Sequence, residues 1–238
     1  MAGDADLGAI GSLLSDRTRA TILLTLLNGG MTSASALAAR ADVSRPLASA
    51  HLRKLTEGGL ITVEPHGRHR FYRLSSQHVA DALESLILLS PADAVNSLRG
   101  SKESIGLQRG RLCYDHLAGR LGVALTQRMM ESGFLVKDDG DYEVTAAGAT
   151  AFEELGIDLA GLREQTRPLS RACIDWSEKD HHLAGSLGAA LTNELFHLGW
   201  LEGREASRVV IVTAAGSEGL FRAFGLEPES LEATAAAA

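Results

Sequence analysis

Hydrophobic residues recur mostly at helical spacing along this chain, interrupted by short alternating runs, and the pattern changes character near residue 90. Leu7, Ile10, Leu13 and Leu14 share one face of a first helix over residues 4–15. Ser15-Asp16 caps a second helix, Arg17 to Leu27, and Asn28-Gly29-Gly30 ends it. Leu37, Ala38 and Ala41 predict a short third helix, and Leu47, Ala50, Leu52 and Leu55 a fourth. The interval between them, Ala41-Asp42-Val43, has the length that a helix-turn-helix needs. Ser44 stands where its hydroxyl can N-cap the fourth helix, Pro46 is tolerated in the first turn, and Gly58-Gly59 supplies the stop. ITVEPHGRHRFYRL then reads as two strand-like runs around a basic tip, residues 65–69, and Ser75-Ser76 opens a helix to about Leu89 striped by Val79, Leu83, Leu86 and Ile87. A helix-turn-helix followed by a basic hairpin is a winged helix, whose ligand is duplex DNA.

Charge sharpens this picture. The net charge of −7 over 238 residues looks wrong for a DNA binder until the chain is divided. Residues 1–90 carry nine Lys and Arg against eight Asp and Glu, whereas the remainder carries 14 against 22. Within 43–73 six basic residues face two acidic ones, so positive charge gathers where a winged helix meets DNA. The expected contacts are Ser44, Arg45, Ser49, His51, Arg53 and Lys54 on the fourth helix, and Arg68 and Arg70 on the wing.

SDRTRATILLTLL, SRPLASAHLRKLTEGGLI and GRHRFYRL, in this order and spacing, resemble the DNA-binding domain of the ArsR/SmtB family of bacterial repressors, over roughly residues 7–90. The resemblance implies a homodimer whose recognition helices enter successive major grooves of a partly palindromic operator. It also implies that a small effector releases the repressor, and that the first and last helices of the domain form the dimer interface. The family's metal sites do not carry over. TSASALAAR, the first helix of the helix-turn-helix, has no thiol, and QHVADALES offers only His78, Asp81 and Glu84.

Beyond a linker at 91–110 the chain repeats itself. RLCYDHLAGRLGVAL (111–125) is matched by RACI (171–174) and HLAGSLGAAL (182–191), with VTAAG recurring at 144–148 and 212–216. The expected architecture is therefore mainly α with short β-hairpins (α+β). A winged helix-turn-helix at 1–90 is followed by a domain at 111–227 of two helix–hairpin–helix repeats, 111–158 and 171–227, packed about an approximate two-fold axis, and a disordered Ala-rich tail at 228–238.

The repeat places Cys113 opposite Cys173, Asp115 opposite Asp175, and His116 opposite His182. Cysteine and histidine three apart on a helix share a face, so Cys113, His116, Cys173 and His182 can converge into a set suited to zinc or another divalent metal. Three other readings remain open: thiol redox chemistry at Cys113 and Cys173, an organic ligand walled by Tyr114, Asp115, Asp175, Trp176 and His181, or plain packing of small buried thiols. No phosphate-binding glycine loop, nucleophile elbow or His-Glu-x-x-His appears, which speaks against an enzyme. No apolar run approaches the ~18–20 residues of a membrane span, and MAGDADLGAI is no signal peptide, so the cytoplasm is the expected compartment. The function expected from sequence is a dimeric, effector-released repressor that senses through its C-terminal repeats. The alternatives are a winged-helix thiol sensor and a winged-helix protein-interaction module.

Overall fold

The computed structural model describes residues 5–67, 69–91, 98–204 and 206–227. The chain forms two compact units divided after Ser90, except that residues 206 and 207 fall with the first. Arg68 and the 228–238 tail lie outside the described residues, as do residues 92–97 of the linker.

The first unit runs α1 (Leu7–Leu14), α2 (Arg17–Leu26), β1 (Thr32–Ser33), α3 (Ala34–Arg40), α4 (Arg45–Glu57), β2 (Ile61–His66), β3 (His69–Leu74) and α5 (Gln77–Leu89). The sheet order is β1-β3-β2, antiparallel, with Tyr72 opposite both Thr32 and Val63. Helix starts are fixed by side-chain caps: Asp16 accepts from the Arg19 amide, Ser44 from Leu47 and Ser76 from Val79. Asp42 adopts φ 53° in the turn between α3 and α4. Ile22, Leu26, Leu37, Leu52, Leu55, Ile61 and Leu74 are buried and form the apolar interior that these caps and turns position. Helix α1 buries none of its residues, and Leu7 (78%) and Leu89 (83%) stand exposed on α1 and α5.

The second unit opens with α6 (Leu98–Arg109), so the stretch expected as linker ends in a helix. One succession of elements then occurs twice. First come β4 (Arg111–Cys113), β5 (His116–Ala118), α7 (Gly119–Glu131), β6 (Leu135–Asp138), β7 (Asp141–Val144) and α8 (Ala146–Glu154). After α9 (Leu159–Arg163) follow β8 (Arg171–Ile174), β9 (His181–Ala184), α10 (Gly185–His197), β10 (Leu201–Gly203), β11 (Val210–Val212) and α11 (Ala214–Phe224). Each copy is thus hairpin–helix–hairpin–helix, not helix–hairpin–helix. The opening segment is a tight hairpin because Cys113 pairs across the strands with His116, and Tyr114 takes φ 62° in the turn. A helix cannot run back through it, since Gly119 enters α7 at φ 73° and Gly185 enters α10 at φ 85°.

The two copies share one core, in which Leu117, Leu121, Leu125 and Met129 are answered by Leu183, Leu187, Leu191 and Leu195. They also exchange buried hydrogen bonds. The Leu117 amide donates to Thr192 Oγ1 (3.1 Å), and the Leu183 amide donates to Thr126 Oγ1 (2.8 Å). A Cβ on Gly122 would lie 3.5 Å from the Cβ of His182, and one on Gly188 would lie 3.4 Å from that of His116. The glycine of each helix thus lets the histidine strand of the other copy pack closely.

Candidate functional site

On the first unit, Arg45, Ser49 and Arg53 succeed one another at four-residue intervals along α4, so they form one exposed row. With Thr56, His69 and Arg70 they line a groove of about 640 Å³ between α4 and the wing. Ser44 caps the helix at the head of this row. Lys54 is exposed on α4 but does not line the groove. His51 departs from the expectation. Its side chain is only 12% exposed and lies against α2, with Nδ1 3.4 Å from Asp16 Oδ1, so it does not face a base edge. The inward direction follows from the packing of α4 on α2. His69, not singled out from the sequence, joins the groove by its place on β3.

In the second unit, the ligating atoms of Cys113, His116, Cys173 and His182 all lie within 4.8 Å of one another. Cys113 and His116 are a cross-strand pair on β4–β5, and Cys173 and His182 are the equivalent pair on β8–β9. The two sulfurs stand 3.9 Å apart, and the imidazole centroids are separated by 5.2 Å. The cluster the sequence pointed to is therefore assembled by two hairpins, not by one face of a helix.

Each histidine is backed by a carboxylate. His116 Nδ1 lies 3.1 Å from Asp115 Oδ1, and Arg167 grips Asp115 with both terminal nitrogens. His182 Nδ1 lies 3.5 Å from Asp175 Oδ2. That same oxygen accepts from Arg111 Nη2 (2.9 Å) and the Gly119 amide (2.6 Å), while Oδ1 accepts from the Ser177 amide and hydroxyl and from the Glu178 amide. Arg111 is 1% exposed and stacks 4.3 Å above Trp176. The Nε2 atoms of both histidines are buried without a hydrogen-bond partner, and so is Nδ1 of His182, whose approach to Asp175 is an ionic contact and not a hydrogen bond.

The electrostatics follow from this wiring. Burial works to raise the Asp115 carboxyl, but hydrogen bonds from His116 and Arg167 outweigh it and hold the pKa at about 2. Burial likewise opposes charge on His116, yet its contacts with Asp115 and Cys173 bring the imidazole up to about 9. The Cys173 thiol is pulled far below its ordinary value, first by the hydrogen bond from Cys113 and then by His116 and His182. Asp175 is desolvated but held well below the usual carboxylate range by Arg111, Ser177 and His182.

Of the residues expected to wall an organic ligand, Asp115 and Asp175 instead support the histidines, and Trp176 covers Arg111. His181 is about half exposed beside Asp180, and Tyr114 occupies the β4–β5 turn. Sequence reasoning missed Arg111, Arg167, Thr126 and Thr192. Arg167 left no signal, but Arg111 opens RLC as Arg171 opens RAC, and each threonine follows its repeat by one residue, in VALT and AALT.

Comparison with known proteins matches the Helix-turn-helix domain family to residues 14–64. The HTH-type transcriptional regulator YdfF of Bacillus subtilis is 43% identical over 211 residues, covering 89% of this chain and 93% of that protein. The HTH-type transcriptional regulator CmtR of Mycobacterium tuberculosis is 36% identical over 84 residues, 35% of this chain and 70% of its own length. Among solved structures, the homodimeric winged helix-turn-helix DNA-binding domain Mb0332 of Mycobacterium bovis, described as a possible ArsR-family regulator, shows 28% identity with a TM-score of 0.33, covering 37% of this chain and 89% of that one. These relatives are transcriptional regulators, not enzymes, and no helix among the described residues is long and apolar enough to cross a membrane. With its helix-turn-helix in place and its likeness to YdfF running through both units, this chain belongs to the family of HTH-type transcriptional regulators.

Proposed function

We propose that this regulator binds a partly palindromic operator as a homodimer and that its C-terminal unit receives the signal by holding a transition-metal ion between the two repeats. On the DNA side, Arg45 and Ser49 head the exposed row of α4 and suit base edges in a major groove. Arg53, Lys54 and Arg70 suit phosphates, with Arg68 expected to join them on the wing. Exposed apolar positions on α1 and α5, Leu7, Leu86 and Leu89, support a dimer built on those helices.

The observation that carries the metal reading is the buried, unpartnered Nε2 of each histidine beside two thiols. A buried polar atom without a partner is costly, and an ion would take that position on each Nε2, displacing the proton that His116 otherwise carries. The spacing fits too. Two thiolates about 2.3 Å from one tetrahedral ion lie about 3.8 Å apart, and here the sulfurs stand at 3.9 Å. Asp115 and Asp175 on the far ring nitrogens orient the imidazoles as carboxylates do behind metal-bound histidines. Cys113, His116, Cys173 and His182 would hold the ion. Two soft thiolates and two borderline imidazoles suit zinc or another late divalent metal, which would act as a removable cross-link between the repeats.

The test is metal content and operator affinity of the full-length protein purified without chelator. The expected result is about one metal per chain, lost in both Cys113→Ser and His182→Ala. Metal loading is expected to lower operator affinity by about 5- to 150-fold, the range of a ~1–3 kcal/mol coupling. Metal retained in both variants, or operator affinity indifferent to metal, would refute the assignment.

A further inference from the structure

The chain has two cysteines, and the fold sets them side by side from positions 60 residues apart. Their surroundings differ. Cys113 is buried at 4% exposure, whereas Cys173 on β8 is partly open. Cys173 is thus the more open residue of the pair, with the Cys113 sulfur 3.9 Å from its own. A disulfide needs sulfurs about 2.05 Å apart, so the pair has about 1.9 Å to close, shared between rotations of two side chains.

The same sulfur lone pairs that bind a metal are consumed by a disulfide, so the two states exclude one another. We propose, building on the metal reading above, that Cys113 and Cys173 are an oxidation site: a peroxide converts them to one inter-repeat disulfide, and the bound ion leaves. Cys173 attacks one peroxide oxygen, the O–O bond breaks, and sulfur is oxidised to a sulfenic acid while the other oxygen departs as water. Cys113 then displaces the sulfenic hydroxyl as a second water and forms the S–S bond. In sum, two metal-bound thiolates, one hydrogen peroxide and two protons give one disulfide, one free divalent ion and two waters. The sulfurs lose two electrons and the peroxide gains them. The histidines are left without an ion, so the oxidised chain matches the metal-free one in ligand occupancy and cannot reload until it is reduced.

The experiment uses full-length protein, reduced and loaded with zinc, then treated with hydrogen peroxide. Zinc release is followed with a chromogenic chelator, thiols by titration, and the linkage by peptide mass mapping under non-reducing conditions. The expected result is loss of two thiols and one zinc per chain in step, with one 113–173 linked peptide and full recovery after a dithiol and fresh zinc. In Cys113→Ser the sulfenic acid is expected on Cys173, trapped by dimedone, with no linkage. In Cys173→Ser the remaining thiol of Cys113 is expected to react at least tenfold more slowly. Zinc-loaded protein whose thiols and metal both survive peroxide, disulfides found only between chains, or separate oxidation of both sulfurs to sulfinic acids would each overturn the proposal. A reduced protein that never takes up zinc yet forms the 113–173 disulfide would instead overturn the metal reading and leave the oxidation site standing.

Discussion

Replacing Asp175 by Asn changes almost no volume and removes one buried charge. Asp175 is fully buried and its partner Arg111 is 1% exposed. Three N–H groups converge on Oδ2 or lie near it, from Arg111, Gly119 and His182, and three more donors converge on Oδ1. An asparagine can present an acceptor to only one of these sets, so its amide nitrogen must face donors. The guanidinium of Arg111 is then left as an uncompensated buried cation. Breaking a buried pair from one side costs about 3–5 kcal/mol, a large share of the 5–15 kcal/mol that a typical domain possesses. Both tryptophans, Trp176 and Trp200, lie in the second unit, so their fluorescence during a urea titration reports on it selectively. With a slope of about 2 kcal/mol per molar urea, the midpoint of the chelator-treated variant should fall by about 2 M. Adding Arg111→Met to Asp175→Asn should restore at least about 1 kcal/mol, because the stranded charge goes with it. The zinc affinity of Asp175→Asn should fall about 10- to 100-fold, as it does when the support behind a metal-bound histidine is lost. A midpoint loss worth less than about 1 kcal/mol, with no recovery in the double variant, would refute the account of Arg111 as a charge held by Asp175.

Thr126→Val and Thr192→Val each leave one buried amide, that of Leu183 or Leu117, without its acceptor. Each should cost about 1–3 kcal/mol in the same urea titration, the two being similar because the sites are related by the repeat. Acid should loosen the metal-free second unit. Asp115 is held at about 2, so its contribution is complete above its unfolded value of 3.8 and is lost as pH falls through about 2. That depression corresponds to about 2 kcal/mol, and Asp115→Asn should flatten the fall in stability that tryptophan fluorescence records between pH 5 and pH 2. On the first unit, Arg70→Ala should weaken DNA binding about equally on all sequences and reduce the log–log salt slope by about one, measured by fluorescence anisotropy across a salt series.

The winged helix was legible because its punctuation is local. Asp16, Ser44 and Ser76 each cap the helix that follows them, and such caps depend on a few neighbouring residues. The direction of His51 was not legible, because which side of α4 faces inward is decided by contact with Asp16, thirty-five residues away. In the second half, the duplication and the kinship of its cysteines and histidines were plain from alignment of the chain with itself. The element type was not. RLCYDHLA is too short for its periodicity to separate strand from helix, and its turn places Tyr114 at φ 62°, a conformation for which tyrosine gives no warning. In the first copy a spacing of three brings Cys113 to His116 along a helix face or across a hairpin alike, whereas Cys173 and His182, nine apart, meet only because β8 and β9 pair, so the cluster could be anticipated from the repeat with the wrong backbone beneath it. The contacts of the anchoring arginines do not follow the repeat, although Arg111 stands opposite Arg171 in it. Arg111 holds the carboxylate of the second copy, and Arg167, from the segment between copies, holds that of the first.

On the proposed metal reading, that asymmetry bears on how a symmetric cluster couples to the elements around it. The ligand pairs are alike, yet their supports are not. His116 rests on Asp115, whose arginine is about one-third exposed on the segment joining the repeats. His182 rests on Asp175, whose arginine is buried and also donates to the Leu107 carbonyl in the last turn of α6 (3.1 Å). In chain order α6 is the element that enters the second unit from the DNA-binding unit. A change at Asp115 can relax into solvent through Arg167. A change at Asp175 is shared among Arg111, the Gly119 amide and the turn at 177–178, and Arg111 in turn touches the end of α6. On the metal reading, an ion that draws His182 towards the thiols loads the buried arm more than the open one. On that reading both half-sites reach α6, the first directly through β4, which carries Cys113 and follows α6 after one residue, and the second through Asp175 and Arg111.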